Sequence, residues 1–548
     1  MVSRASNPDT SLGWWHSNGS PPVTDLGDIR AAIAKIQKPV TIVRTDDGLA
    51  LGLGGVAQLG KSDDPDGLPI VGHAPALPLE NLGDAAFCAA HRLKYPYVAG
   101  AMANGICSAD IVIAMGNAGM LGFFGAAGLA PERVEQEIDQ IQTALGDKPY
   151  GFNLIHSPNE PDVEAAVADL YLRKGVKLVE ASAYLGLTLP VVRYRVAGIH
   201  RDAEGFVVAP NRIVAKVSRV EVATRFLSPP PTKFLDELVN LGEISPEQAA
   251  MAGEIPMAND LTAEADSGGH TDNRPALALL PALLALAERI QAEHNYAEPL
   301  RVGAAGGLST PASVAAAFAM GAAYVVTGSI NQACVESGSC DQVRKMLASA
   351  EQADVAMAPA ADMFEMGVNV QVLKRGTMFP MRAKKLFELY RAHDSLDSIP
   401  PAERDKLEKQ FFRMPLDEAW AQTRAFFDRR DPAQNERAAR DPKHKMALVF
   451  RSYLGQSSRW ANAGEPTRVA DYQVWCGPAM GAFNEWARDS FLEGPENRKV
   501  VPVGMNLLYG AALTLRLNNL RSQGIRLPTE AARCRPLEPD ALASLLSQ

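Results

Sequence analysis

The sequence is short of cysteine, of excess basic charge and of long uncharged apolar runs, and each shortage removes a class of function. Six cysteines are scattered at positions 88, 107, 334, 340, 476 and 534, with no Cys-x-x-Cys pair. That spacing argues against a disulfide framework or thiolate zinc site and for reduced thiols; no metal site is expected. The formal net charge is −9, the wrong sign for a broad nucleic-acid binder, which needs a basic face to displace counterions from phosphates. An acidic carrier protein would need a local basic patch, because the field of the whole molecule repels it. No stretch of about 18 apolar residues runs free of charge, so no membrane span is expected. The start, MVSRASNPDTSLGWWHSNGSPP, lacks the apolar run of a secretory signal, and a cytoplasmic location is expected. There is no Walker loop. The run GLGGVA at 52–57 has no long strand before it, no helix after it and no acidic residue about 20 positions on, so it reads as a turn rather than a dinucleotide loop.

What is present is ample core material: 548 residues, 47% of them hydrophobic and 21% charged. Such a length suggests two or three units at roughly 100–200 residues each, although one α/β barrel takes about 250 alone. From residue 97 onward eight short apolar runs occur, at 97–102, 119–124, 150–155, 177–182, 212–217, 255–259, 300–305 and 323–328. Between several of them lie segments of helical spacing, 131–145, 161–174, 274–294 and 311–320, with proline near their starts. Strands alternating with helices imply a parallel sheet, and eight units imply closure. The fold class is therefore α/β, a parallel (β/α)8 TIM barrel, with a seven-unit doubly wound sheet as the rival.

The barrel is expected over 96–376, after an N-terminal accessory region at 1–95 and before a mostly helical C-terminal region at 377–548. Within 1–95, segments 40–44 and 50–53 read as strands around Asp46-Asp47-Gly48, and 61–79 reads as a looser stretch. An insertion at about 218–254, with a helical 233–241, is expected at the C-terminal face of the barrel. Long inserts there shape substrate access; a plain structural excursion is the alternative.

The strongest local signal is Glu264-Ala265-Asp266-Ser267-Gly268-Gly269-His270, after the sixth strand. Catalytic groups of such barrels sit at the C-terminal ends of strands. Gly268 and Gly269 allow a backbone to approach a flat ligand, and His270 can give or take a proton near neutral pH. Glycine turns follow the next two strands, with Gly306 and Gly307 after the seventh and Gly328 with Ser329 after the eighth. Turns in those positions commonly hold a phosphate on backbone N–H groups. One phosphate site with close-approach glycines suits a mononucleotide. Gly100, Ala101 and Met102 at the end of strand one, Asn153 in GFNL and Lys216 in IVAKVSR bring small or polar groups to the same face. A lysine there can stabilise the negative charge of a reduced flavin.

Together these residues resemble the flavin barrels of the nitronate monooxygenase and FMN-type enoyl-reductase superfamily. There a first-strand Ala-Pro-Met-like segment, an Asn after strand three, a strand-five Lys, a Gly-Gly-His motif and two later glycine turns meet FMN. The phrases GFNLIHSPNEP, LVEASAYLGLT, VRYRVAG, EADSGGHTDNRP and NVQVLKRGTMFP look like the PfaD family in type and order. That family comprises trans-acting enoyl reductases of polyunsaturated fatty acid and polyketide synthases. The resemblance covers nearly the whole chain, including the N-terminal extension and the long helical tail. It implies FMN as cofactor, NADPH as reductant and 2-enoyl thioesters on acyl carrier protein as substrate. It also implies an acid or base role for His270, and a homodimer is one assembly open to it. The alternatives are a nitronate monooxygenase-like flavin oxidase and a non-catalytic component of a synthase. Two departures stand out: Ala263 where a Gln commonly meets the flavin, and Ala101 where the superfamily has Pro.

Overall fold

A computed structural model describes residues 3–4, 11–60, 66–156, 161–528, 530 and 533–547. Residues 61–65 of the looser N-terminal stretch and 157–160 of GFNLIHSPNEP lie outside them. Eight parallel strands close into a barrel: β1 Tyr97–Ala99, β2 Leu121–Phe124, β3 Gly151–Ile155, β4 Leu178–Ser182, β5 Arg212–Val217, β6 Asp260–Glu264, β7 Arg301–Ala305 and β8 Val325–Thr327. Pairing of Val325 with Tyr97 joins the last strand to the first. The expected TIM barrel is therefore the observed fold.

Its interior is a core of its own, made of Val98, Leu121, Phe123, Leu178, Val214, Tyr324 and Val326. Phe87 enters from helix Ala85–His91 and stacks on Tyr324 with ring centroids 4.0 Å apart. The same helix closes the N-terminal end electrostatically. His91 Nε2 lies 2.8 Å from Asp260 Oδ2, and Arg301 Nε donates to Asp260 Oδ1 at 2.6 Å, all three side chains being buried.

The sixth strand corrects the sequence reading, which placed it at 255–259. Those residues form the approach to the strand: Met257 N–H donates to Ser228 O and Ala258 N–H to Phe226 O. The true strand escaped the apolar pattern because it is ionic at both ends, Asp260 at one and Glu264 at the other. The insertion is also misplaced by that reading. Helix Val220–Leu227 packs on the barrel and ends beside the start of β6. Helices Thr232–Asn240 and Pro246–Ala252 follow it, so they lie at the N-terminal end, where Gln248 Nε2 donates to Ile199 O. They cannot shape access at the opposite face.

Before the barrel, five antiparallel strands form a sheet in the order Gly48–Gly52, Val40–Thr45, Leu68–Ala74, Gly13–His16 and Val56–Leu59. The GLGGVA run is a turn between two of these strands, as expected. Helix Val500–Ser522 is long and apolar enough to cross a membrane by length and composition, yet most of it is buried. It packs on barrel helix Pro311–Ala319, and its Arg516 guanidinium donates to the carbonyls of Ile33, Lys35, Ile36, Lys38 and Pro75. One buried arginine thus ties the N-terminal unit to the last long helix.

Sequence periodicity gave no sign of a further, three-stranded sheet beside the barrel. Strands Val355–Pro359 and Asn369–Leu373 pair antiparallel, and Gly269–His270 adds to the second of them. A separate apolar core joins this sheet to helices Phe379–Ala392, Leu416–Arg430 and Pro442–Ala463 through Val370, Val372, Phe379, Leu416 and Phe450.

Candidate active site

Strand β4 carries a glutamate, Glu180, inside an otherwise apolar run, and its side chain is fully buried. Burying a carboxylate is costly unless it is paired. Here Lys216 of β5 lies with Nζ 3.5 Å from Glu180 Oε2 and 3.5 Å from Glu264 Oε1 of β6. Two acids face one ammonium. Burial opposes the charge on Lys216, but the two carboxylates outweigh it and raise its pKa, so it stays cationic. Burial also pushes Glu180 above the usual carboxylate range, against the attraction of Lys216. Ala101 N–H donates to Glu180 Oε2 at 3.2 Å, whereas Oε1 has no hydrogen-bond partner.

Asn153 is adjacent on β3 and buried. Its Nδ2 donates to Glu180 O at 3.0 Å and Ser182 Oγ at 3.1 Å, which leaves Oδ1 as the atom it can offer a ligand. Gly100 N–H donates to Thr327 O, continuing the β8–β1 pairing, and Met102 follows on the same loop. Thus Gly100-Ala101-Met102, Asn153 and Lys216 do gather at one side of the barrel mouth, linked by Glu180. Glu180 was not singled out from the sequence, although a carboxylate within LVEAS was an available signal, and Glu264 was named there only as the first residue of the Gly-Gly-His segment.

The glycines divide into two kinds. At Gly268 a Cβ would lie 2.9 Å from the backbone of Cys476 and Gly477, and at Gly306 it would lie 2.7 Å from the Ala265 carbonyl. These two are glycine because protein backbone approaches them. At Gly307 and Gly328 nothing lies within 4 Å of the Cβ position; Gly307 also holds a left-handed φ of +73° that favours glycine, and the two leave a cradle at the ends of β7 and β8. Ser329 Oγ accepts from Gly477 N–H at 3.2 Å, so a segment from far along the chain borders that cradle. Gln371 holds the Gly-Gly-His loop from below, its Nε2 donating to Asp266 Oδ1 at 2.8 Å and Ser267 O at 2.7 Å. At position 263, where the superfamily pattern has Gln, Ala263 is buried within β6.

His270 stands opposite Val370 in the three-stranded sheet, its side chain 42% exposed, with Nε2 3.1 Å from Asp362 Oδ1. Partial burial disfavours the imidazolium, but the hydrogen bond and charge of Asp362, with Glu264 behind, raise the pKa above the ordinary histidine value.

A family profile described as nitronate monooxygenase matches residues 85–389, more than half of the chain. The chain belongs to the nitronate monooxygenase family. A second profile, the inserted helical domain of [acyl-carrier-protein] S-malonyltransferase, matches residues 393–472 of the helical region. Relatives within the PfaD-like part of the family include a polyunsaturated fatty acid synthase subunit of Thraustochytrium sp., 50% identical over 83% of this chain and 31% of that protein. Polyketide biosynthesis protein PksE of Bacillus subtilis is 43% identical over 80% of this chain and 57% of its own length. The chain thus spans about a third of the former and just over half of the latter. Among solved structures, the enoyl reductase domain of MlnA from the macrolactin cluster of Bacillus amyloliquefaciens is 39% identical. It superposes with a TM-score of 0.77 over 81% of this chain and all of that one. The PfaD-like resemblance read from the motifs is borne out.

Proposed function

We propose that this oxidoreductase is an enoyl reductase that acts in trans on 2-enoyl thioesters carried by acyl carrier protein, in fatty acid or polyketide synthesis. The match along the full length of a solved enoyl reductase domain carries this reading. The site residues agree with it. FMN fits the open cradle: Gly307, Gly328 and Ser329 would hold its phosphate, and the Gly100–Met102 loop, Asn153 Oδ1 and Lys216 would border its ring. The unpartnered Glu180 Oε1 supplies a buried acceptor beside them. When bound, FMN would supply the chemistry for hydride transfer between NADPH and the β-carbon of the enoyl thioester.

The chain's own residues do the rest. Lys216, held cationic between two carboxylates, places positive charge where the reduced cofactor gathers negative charge. His270 gives a proton to Cα as charge develops on the thioester oxygen. Gly306 sets the loop carrying His270 against the end of β7, and Gly268 sets the same loop against the backbone of Cys476 and Gly477. An acyl carrier protein partner is supported by the synthase relatives and by the malonyltransferase-type helical profile.

The test is an anaerobic spectrum of the FMN-loaded protein titrated with NADPH and then with a 2-enoyl thioester. Bleaching of the flavin band followed by its return on adding thioester is the expected result. A protein that takes up no FMN would overturn the cofactor assignment. Return of colour with oxygen alone would favour a flavin oxidase.

A further inference from the structure

An acid that protonates Cα must hold its proton at working pH and present it from a fixed ring. A lone histidine on a loop meets neither condition, and what equips His270 comes from outside the barrel. Strand Asn369–Leu373 pairs with Gly269–His270 on one side and with Val355–Pro359 on the other. The turn joining those two strands carries Asp362. Arg451 of helix Pro442–Ala463 donates from Nε to Ala361 O at 2.9 Å and lies 3.5 Å from Glu365. Phe364 of the same turn is fully buried against Phe387, Tyr390 and Phe450. The turn is therefore clamped on both flanks of Asp362, and its carboxylate meets His270 Nε2 at 3.1 Å.

We propose that Asp362 is the positioning residue that keeps His270 in its proton-donating form and selects which ring nitrogen gives the proton. The proposal rests on the proton-donor role of His270 stated above. With Nε2–H committed to Asp362, the transferable proton is the one on Nδ1. Its N–H bond breaks as the Cα–H bond forms, the ring is left as the Nε2–H tautomer on the carboxylate, and solvent restores the proton. The charged groups acting on His270 are Asp362 and Glu264, both acids, while Arg451 engages the turn and not the ring. An imidazolium suits protonation of an enolate and not abstraction of a proton, the opposite requirement to an oxidase that works by deprotonation.

The experiment compares the full-length, FMN-loaded wild type with Asp362→Asn and Asp362→Glu. Asp362 is half-exposed, so the isosteric Asn variant is expected to fold. Histidine-labelled protein is titrated by NMR, with the His270 signal assigned by its loss in His270→Gln. Asp362→Asn should lower the pH at which His270 titrates, and Asp362→Glu should restore it in part. In turnover of a 2-enoyl thioester, kcat/KM of the Asn variant should fall about tenfold at pH 8 and much less at pH 6, with flavin reduction by NADPH unchanged. An unmoved His270 titration and an unmoved pH profile would overturn the proposal. Should the wild type reduce no enoyl thioester, the proposed function falls, and the titration alone decides whether Asp362 governs His270.

Discussion

The division of the glycines yields a prediction that separates fold from ligand. At Gly306, φ is +83° and the Cβ position lies 2.7 Å from the Ala265 carbonyl carbon and oxygen. The left-handed conformation costs an alanine roughly 1–2 kcal/mol, and overpacking against backbone that cannot rotate away adds roughly 1–3 kcal/mol. Gly306→Ala should therefore destabilise the protein by about 2–5 kcal/mol. At Gly328 nothing lies within 4 Å of the Cβ position, but the backbone, at φ −129° and ψ −80°, sits outside the main allowed regions, so Gly328→Ala should cost only the conformational part, about 1–2 kcal/mol, without the overpacking part. Its methyl group enters the proposed phosphate cradle, and FMN affinity should fall about tenfold, the equivalent of about 1.4 kcal/mol. Urea midpoints of the cofactor-free proteins, followed by tryptophan fluorescence, measure the first effect; quenching of FMN fluorescence on binding measures the second. If Gly328→Ala unfolds as early as Gly306→Ala, the packing argument is wrong. If it binds FMN as tightly as wild type, the cradle is misplaced.

Three further perturbations test separate parts of the molecule. Asp260→Asn strips from buried Arg301 one of its two carboxylates, Glu298 being the other, and alters the hydrogen-bond partner of His91, at the end of the barrel away from the site. It should cost about 3–5 kcal/mol in urea unfolding while leaving kcat of the surviving folded enzyme unchanged. Burial alone would raise the Asp260 pKa, but His91 and Arg301 outweigh it and hold it below the usual carboxylate value. Its stabilisation is thus present above the ordinary carboxylate pKa and is lost as pH falls through the native one, so the variant's deficit in urea midpoint should shrink in acid. Lys216→Met leaves Glu180 buried without its ammonium and should cost about 3–5 kcal/mol, part of which Glu180→Gln in the same chain should recover; strict additivity of the two losses would refute their pairing. His270→Ala should bind FMN and accept hydride from NADPH as wild type does, but slow enoyl thioester reduction by roughly 10²–10⁴-fold in stopped-flow reoxidation. An unchanged rate would remove His270 from the reaction.

Much of the architecture was legible because barrel strands and helices announce themselves by local period. Seven of the eight strands fall within the apolar runs, since each is buried along most of its length and bounded by turns. The sixth failed because Asp260 and Glu264 bracket it, one serving the ionic cluster at the barrel's base and the other the lysine at its mouth. The motif glycines and His270 were visible for a related reason: a turn that needs glycine, or a strand end that bears chemistry, leaves its mark within a few residues. Local pattern therefore dictates the alternation, the closed sheet and the position of the site at one end of it. Long-range packing dictates the rest: which glycines serve the chain and which leave room for a ligand, which end of the barrel the insertion occupies, and which carboxylate reaches His270. Asp362 stands 92 residues from His270, and Gly477 stands 148 from Ser329. Such contacts arise where the three-stranded sheet and the later part of the chain meet the barrel mouth, and packing between distant segments leaves no periodic trace in either one.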